Sequence, residues 1–260
     1  MWIEYAMIGL LAGYLAGFLG IGGGFVVVPA LTFLMLKDAS TAPWAIHMAV
    51  ATSLATMLVT SLSSLLAHHR KGAIRWTLVH SIAAGLMAGA ILGAVIADLL
   101  QGDALVRIFG LFAIMAGLQL LLARQPAGEK PLPGRAGILG VGGAIGTVSS
   151  LIGIGGGAMT VPWLLWHGVK AQNAVATSAA CGYPIAIAGT LSFIFLGQGG
   201  GLPQGALGYV HLPAFTGIAV TSALAAPLGV ATVHRLSPKV VKRAFGLFLL
   251  FVGVRMMIGF

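Results

Sequence analysis

The sequence predicts an all-α integral membrane protein made of two homologous halves. Three observations carry that prediction: its composition, its repeated apolar runs, and a set of motifs that occurs twice in the same order. Of 260 residues, 58% are hydrophobic and 7% charged, whereas a soluble domain carries roughly 25% charged residues. A soluble fold of this size could not solvate its surface with 14 Lys and Arg and 5 Asp and Glu. Apolar runs near 20 residues recur along the whole chain, and each reads as a membrane-spanning candidate.

The duplication is legible in four places. Leu19-Gly20-Ile21-Gly22-Gly23-Gly24, followed by Val28-Pro29, returns as Ile152-Gly153-Ile154-Gly155-Gly156-Gly157, followed by Val161-Pro162. Ala49-Val50-Ala51-Thr52-Ser53 returns as Ala174-Val175-Ala176-Thr177-Ser178. Val79-His80 matches Val210-His211, and Arg107-Ile108-Phe109-Gly110-Leu111-Phe112 matches Arg243-Ala244-Phe245-Gly246-Leu247-Phe248. The halves are therefore 1–123 and 136–260, joined by a polar linker at 124–135 rich in Pro and Gly.

Each half divides into five segments. They run over 3–19, 24–36, 43–68, 75–100 and 104–123, then over 136–152, 157–168, 172–196, 206–232 and 240–259. The second segment of each half is too short to span. Its 12 or 13 residues reach about 20 Å against a hydrocarbon core of about 30 Å. The glycine cluster sits between the first two segments, so these read as a re-entrant hairpin broken at the glycines. Three full transmembrane helices follow in each half. Eight spans is the alternative, with the hairpin counted as one crossing.

Charge favours the hairpin. With a hairpin and three crossings per half, the halves are inverted relative to each other. Loops 68–75, 124–135, 168–171 and 234–243 then share one side and hold 11 of the 14 Lys and Arg. The positive-inside bias makes that side cytoplasmic, with both termini outside. Clusters such as Arg70, Lys71 and Arg75 are thus loop anchors, and the net charge of +9 does not imply nucleic acid. One cysteine, Cys181, permits no internal disulfide and suggests no metal framework; it reads as a small packing residue. The N-terminus has no basic n-region of a signal peptide.

Inverted repeats with interrupted helices place their substrate near the midplane, where the broken helix ends point at it. Glycine accepts φ > 0 and lets a ligand approach bare backbone. The helices that begin near Phe25 and Ala158 would offer free N–H groups and a positive dipole end to an anion. The candidate substrate-binding glycines are therefore Gly22, Gly23, Gly24, Gly155, Gly156 and Gly157. Tight helix packing is the competing reason for them. Thr52, Ser53, Thr177 and Ser178 lie mid-span, where their hydroxyls either donate to an oxyanion or bond back to the preceding turn. His47 and Gln172 hold matching positions before those pairs and are candidates for a proton or polar gate. Asn173, beside Gln172, joins the binding set. His80 and His211 read as interfacial, Arg107 and Arg243 as helix anchors, and Tyr183-Pro184 as a kink. The tryptophans Trp44, Trp76, Trp163 and Trp166 read as an interfacial belt.

Gly153-Ile154-Gly155-Gly156-Gly157-Ala158 fits a dinucleotide fingerprint in form, but no acidic residue follows about 20 positions on and no βαβ context surrounds it. Neither glycine run ends in Gly-Lys-Ser/Thr, so the sequence shows no ATPase loop. No cofactor, metal site or enzymatic residue set is expected.

The paired glycine motifs, each with a proline five residues after its last glycine, and the paired Ala-Val-Ala-Thr-Ser strings resemble the sulfite exporter TauE/SafE family. The resemblance runs from about Gly9 to Gly259. It implies an inner-membrane permease of a bacterium or archaeon, usually described with about eight spans and associated with sulfite, sulfoacetate, sulfolactate or thiosulfate. The expected function is secondary transport of a small sulfur-containing anion, with export favoured. A passive anion channel and an intramembrane enzyme are the competing classes. The bilayer and the anion are the expected partners, and a homodimer is left open.

Overall fold

Ten α-helices, one short 3-10 helix (Ala42–Trp44) and one small β-hairpin are the regular elements of the described part of the chain. The computed structural model describes residues 2–19, 23–122, 131–198, 201–232 and 238–259. The helices are α1 (Trp2–Leu19), α2 (Gly24–Leu36), α3 (Ala45–Arg70), α4 (Trp76–Leu99) and α5 (Gly102–Leu122), then α6 (Arg135–Ile152), α7 (Gly157–Trp166), α8 (Ala171–Leu196), α9 (Leu212–Thr232) and α10 (Pro238–Ile258). Strands β1 (Ala206–Leu207) and β2 (Val210–His211) pair antiparallel between α8 and α9.

The ten expected segments all exist, with boundaries that differ by a few residues. The largest difference is at α9, which begins at Leu212 instead of 206. Glycines cause it: Gly205 and Gly208 have φ of 84° and 54°, and that backbone turns the chain into the hairpin. The match of Val79-His80 with Val210-His211 dissolves for the same reason. His80 lies one turn inside α4, while His211 ends β2 immediately before α9. Arg75 holds the place immediately before α4 that His211 holds before α9.

Six helices among the described residues are long and apolar enough to cross a membrane: 42–70, 76–99, 102–122, 135–152, 171–196 and 212–229. Four of them contain α3, α4, α5 and α8, and 212–229 lies within α9. The sixth is α6, whose 18 residues span about 27 Å at ~1.5 Å each. By contrast α2 has 13 residues and α7 has 10, about 20 and 15 Å. Large apolar side chains such as Leu99, Val220, Leu224 and Phe251 stand exposed on the outer faces. Hydrocarbon is the solvent that makes such faces stable.

The helices pair across the chain's midpoint. On α1, side chains added at Gly9, Gly13 and Gly17 would strike the α9 backbone at Ile218, Ser222 and Ala226 in turn. On α4, Gly85, Gly89 and Gly93 meet Leu139, Gly143 and Thr147 of α6 in the same rising order. Both pairs therefore run parallel. On α5, Gly110 lies against Gly253 of α10 and Gly117 against Gly246, so that pair runs antiparallel. Backbones this close need glycine at the contact, since membrane helices gain their association from packing and not from exclusion of water.

Candidate functional site

The two glycine runs flank helices α2 and α7, and the second run shows how such a break is built. Gly153 ends α6 in the left-handed region, φ 70°, and Ile154 N donates to Ser149 O at 2.9 Å, a Schellman-type close. Gly156 is also left-handed, φ 70°, and caps the start of α7. Both positions would strain any residue with a Cβ. Gly22 of the first run lies outside the described residues. Gly23 caps α2 with an ordinary φ of −76°, so its glycine is not required by φ. Gly24 is required by proximity: a Cβ there would collide with the Gly153 carbonyl and lie 3.0 Å from Ile154 Cα. The two breaks thus touch.

Helices α3 and α8 hold the breaks in place. Ser53 Oγ donates to Gly153 O at 2.8 Å and is fully buried. Thr52 Oγ1 accepts from His211 N at 3.0 Å, and Thr177 Oγ1 accepts from Arg75 N at 3.1 Å. Each threonine therefore fastens the residue that precedes a helix of the other half, α9 or α4. Asn173 Nδ2 donates to Ala73 O at 2.8 Å, tying α8 to the same α3–α4 connection. Gln172 is exposed at the start of α8.

A cavity of about 220 Å³ reaches these elements from one end. Its mouth has Lys71 and His68 at the C-terminal end of α3. Thr60, Ser61, Ser63 and Ser64 line one wall, and Ala16, Gly17, Ala226 and Pro227 another. Its floor is Met57, Gly155, Ser178 and Gly182. From Lys71 to Met57 is about 21 Å along the helix. Ser178 is 1% exposed, and its hydroxyl has no partner among the described residues. Ser149 Oγ is likewise buried without a partner, 3.2 Å from where a Cβ on Gly156 would stand. A buried hydroxyl left unpaired costs about 1–3 kcal/mol, and a bound ligand would recover that cost.

At the opposite end of α3 a second cavity of about 420 Å³ is lined by Trp2, Tyr5, Asp38, Thr41, Gln204 and His211, and beside it the first turns of α3 are buried. Tyr209, on the hairpin turn, stacks on His47 with centroids 5.6 Å apart and meets Phe193 edge-on at 6.2 Å. Its hydroxyl donates to Asp98 Oδ1 at 2.8 Å. Burial and the Asp98 carboxylate push the Tyr209 hydroxyl up to about 12. His47 Nε2 lies 3.0 Å from Ala97 O and 3.1 Å from Leu100 O at the end of α4. Two carbonyls fix Nε2 as the protonated nitrogen, and Nδ1 is buried without a partner among the described residues. His211, beside this end, uses Nδ1 to accept from Ala214 N at 3.2 Å and so caps α9.

Of the residues expected from sequence, the structure brings Gly155 and Ser178 to the cavity floor. Gly24, Ser53, Gly156 and Gly157 lie in the break behind it, all buried. Thr52, Thr177 and Asn173 are joints between helices, and His47 is at the opposite end of α3. Sequence reasoning missed Met57, the hydroxyls of Thr60, Ser61, Ser63 and Ser64, His68 and Lys71 as cavity residues. One signal was available: Thr60-Ser61-Leu62-Ser63-Ser64 is a polar stretch inside an apolar span, whereas α8 carries Ile185-Ala186-Ile187-Ala188-Gly189 at the matching positions.

With this arrangement in place, likeness to other proteins becomes informative. Residues 5–256 match the family model Sulfite exporter TauE/SafE. The chain belongs to the sulfite exporter TauE/SafE family. It is a multi-pass membrane transporter by that membership, with the bilayer and a small-molecule substrate as its partners. A Haemophilus influenzae protein named "Probable membrane transporter protein" is 34% identical over 253 residues, 96% of each chain. A Methanocaldococcus jannaschii protein of the same description is 27% identical, covering 90% of this chain and 86% of the relative. A Bacillus subtilis relative, also named a probable membrane transporter, is 28% identical over 74% of this TauE/SafE chain and 78% of its own length. No solved structure matches this TauE/SafE member at a significant level.

Proposed function

We propose that the protein is a secondary transporter that exports small sulfur-containing anions, such as sulfite, sulfoacetate or thiosulfate, by alternating access. The site is the junction of the two glycine breaks, at the floor of the α3 cavity. The observation that carries this is the unpartnered hydroxyl of Ser178 beside Gly155, one step from the start of α7. A helix start supplies N–H groups and a positive dipole end, and the hydroxyl adds a donor. Together they suit an oxyanion with no buried Lys or Arg to hold it too tightly for release.

The antiparallel packing of α5 on α10 supports the inverted repeat, because these are corresponding helices of 1–123 and 136–260. The shortness of α2 and α7 supports re-entrant hairpins. If the basic loops 68–75, 124–135 and 234–243 face the cytoplasm of a bacterial or archaeal cell, the cavity mouth at Lys71 opens inward and the Tyr209–His47 stack lies on the outer side, beside the second cavity. Lys71 would then draw anions from the cytoplasm. Anion export down an inside-negative potential is favourable by ~2.3 kcal/mol per charge per 100 mV, so no coupling ion is needed.

The test is ligand-dependent thermal stabilisation of the purified protein with sulfite, thiosulfate, sulfoacetate, sulfate and a cationic control. A ligand that binds only the folded state raises Tm by mass action. A sulfur oxyanion should raise Tm, and Ser178→Ala should shrink the rise. Stabilisation by the cation alone would overturn the anion site.

A further inference from the structure

We infer that Met57 is the size filter of this site, and the inference rests on the anion reading above. Met57 is 3% exposed and lines the cavity floor with Gly155, Ser178 and Gly182. Its terminal methyl covers the Gly155 backbone so closely that a Cβ added at Gly155 would collide with Met57 Cε. Within 4 Å, among the described residues outside its own chain neighbours, that Cβ would otherwise meet the Met57 sulfur alone, at 3.7 Å. The face of Gly155 that a ligand would approach is therefore occupied by one unbranched, flexible side chain. Any atom that reaches that backbone must first move it.

The two sides of Gly155 differ. At the matching position α8 carries Gly182, whose Cβ would sit 3.2 Å from Gly155 O. The same glycine is thus flanked by a bare backbone on the α8 side and a thioether on the α3 side. Ser178 stands one turn before Gly182 on α8, so the donor side of the floor is fixed. The Met57 side is the one that yields. A three-torsion thioether adapts its shape readily, and in the empty site it fills the volume that the part of a substrate beyond its sulfur group would need. How far it withdraws sets how large that portion can be.

The experiment compares two sulfur anions that differ in size, sulfite and the larger 3-sulfopropionate, by thermal stabilisation of the full-length protein and by flux into proteoliposomes. Met57→Ala should lower the half-saturating concentration for 3-sulfopropionate relative to sulfite by about tenfold or more, the scale on which pocket methylenes discriminate. Met57→Leu, close in volume, should keep the original ratio, and Met57→Phe should abolish the response to both. Because the readout is a ratio between ligands, a general loss of stability in Met57→Ala does not produce it. A response to sulfite in the unaltered protein whose size dependence Met57→Ala leaves unchanged would overturn the filter alone. No response of the unaltered protein to either anion would overturn the anion reading, and the filter with it.

Discussion

Ser53 and Gly153 are 100 residues apart and share one hydrogen bond, Ser53 Oγ to Gly153 O at 2.8 Å. The carbonyl sits at the left-handed glycine that ends α6, where the helix cannot satisfy it. Removing the hydroxyl leaves this acceptor buried. Ser53→Ala should therefore lower stability by about 1–3 kcal/mol, read as a fall in Tm, while Ser53→Thr should recover part of it.

Thr52 and Thr177 make the same bond to opposite helices, yet in different surroundings. The Thr52–His211 bond is buried, whereas the Thr177–Arg75 bond is part-buried. Water can replace the lost partner more readily at Arg75. Thr52→Val should thus cost more than Thr177→Val, by about 1 kcal/mol, in parallel thermal melts.

Alkaline stability should depend on Tyr209. Its hydroxyl ordinarily ionises near 10 and is raised to about 12 in the folded protein. The folded state therefore holds this proton more tightly than the unfolded chain. Its contribution is complete below pH 10 and is lost as pH rises through about 12. Tyr209→Phe should flatten that alkaline decline and leave the slope between pH 6 and 9 unchanged, as measured by Tm against pH.

The helix contacts predict a sharp contrast between glycines. A side chain at Gly89 would strike the Gly143 backbone, with Thr147 N at 2.8 Å. Gly140 on the same pair of helices has nothing within 4 Å. Gly89→Val should abolish recovery of monodisperse protein in detergent, whereas Gly140→Ala should be neutral.

The segments could be read from sequence because hydropathy and glycine breaks are local signals. The start of α2 at Gly24 and the end of α8 at Leu196 fall where expected. The hairpin at 206–211 was hidden inside an apolar stretch whose Val210 and His211 mimic Val79 and His80. Only the positive φ at Gly205 and Gly208 reveals it. The site was legible to the extent that it is backbone, at Gly155 and Gly156, and Ser178 followed from the repeat. Met57 was not legible, since an apolar residue in an apolar helix carries no mark. Thr52 and Thr177 stood out in the sequence as candidate binding residues, but the partners they accept from lie 159 and 102 positions away, a distance that no local pattern encodes. The same holds for Tyr209 and Asp98, 111 positions apart.

The parallel seating of α1 on α9 has a consequence for how the protein is made. Gly9 must wait for Ile218, and a ribosome adding ~5–20 residues per second needs on the order of 10–40 s to supply it. For that interval the first helix sits in the bilayer with its glycine-notched face turned to lipid. Its mate arrives only near the end of translation. The nascent chain thus remains open along one seam until its last helices emerge, and two fragments severed between α5 and α6 should find each other when produced together in one cell.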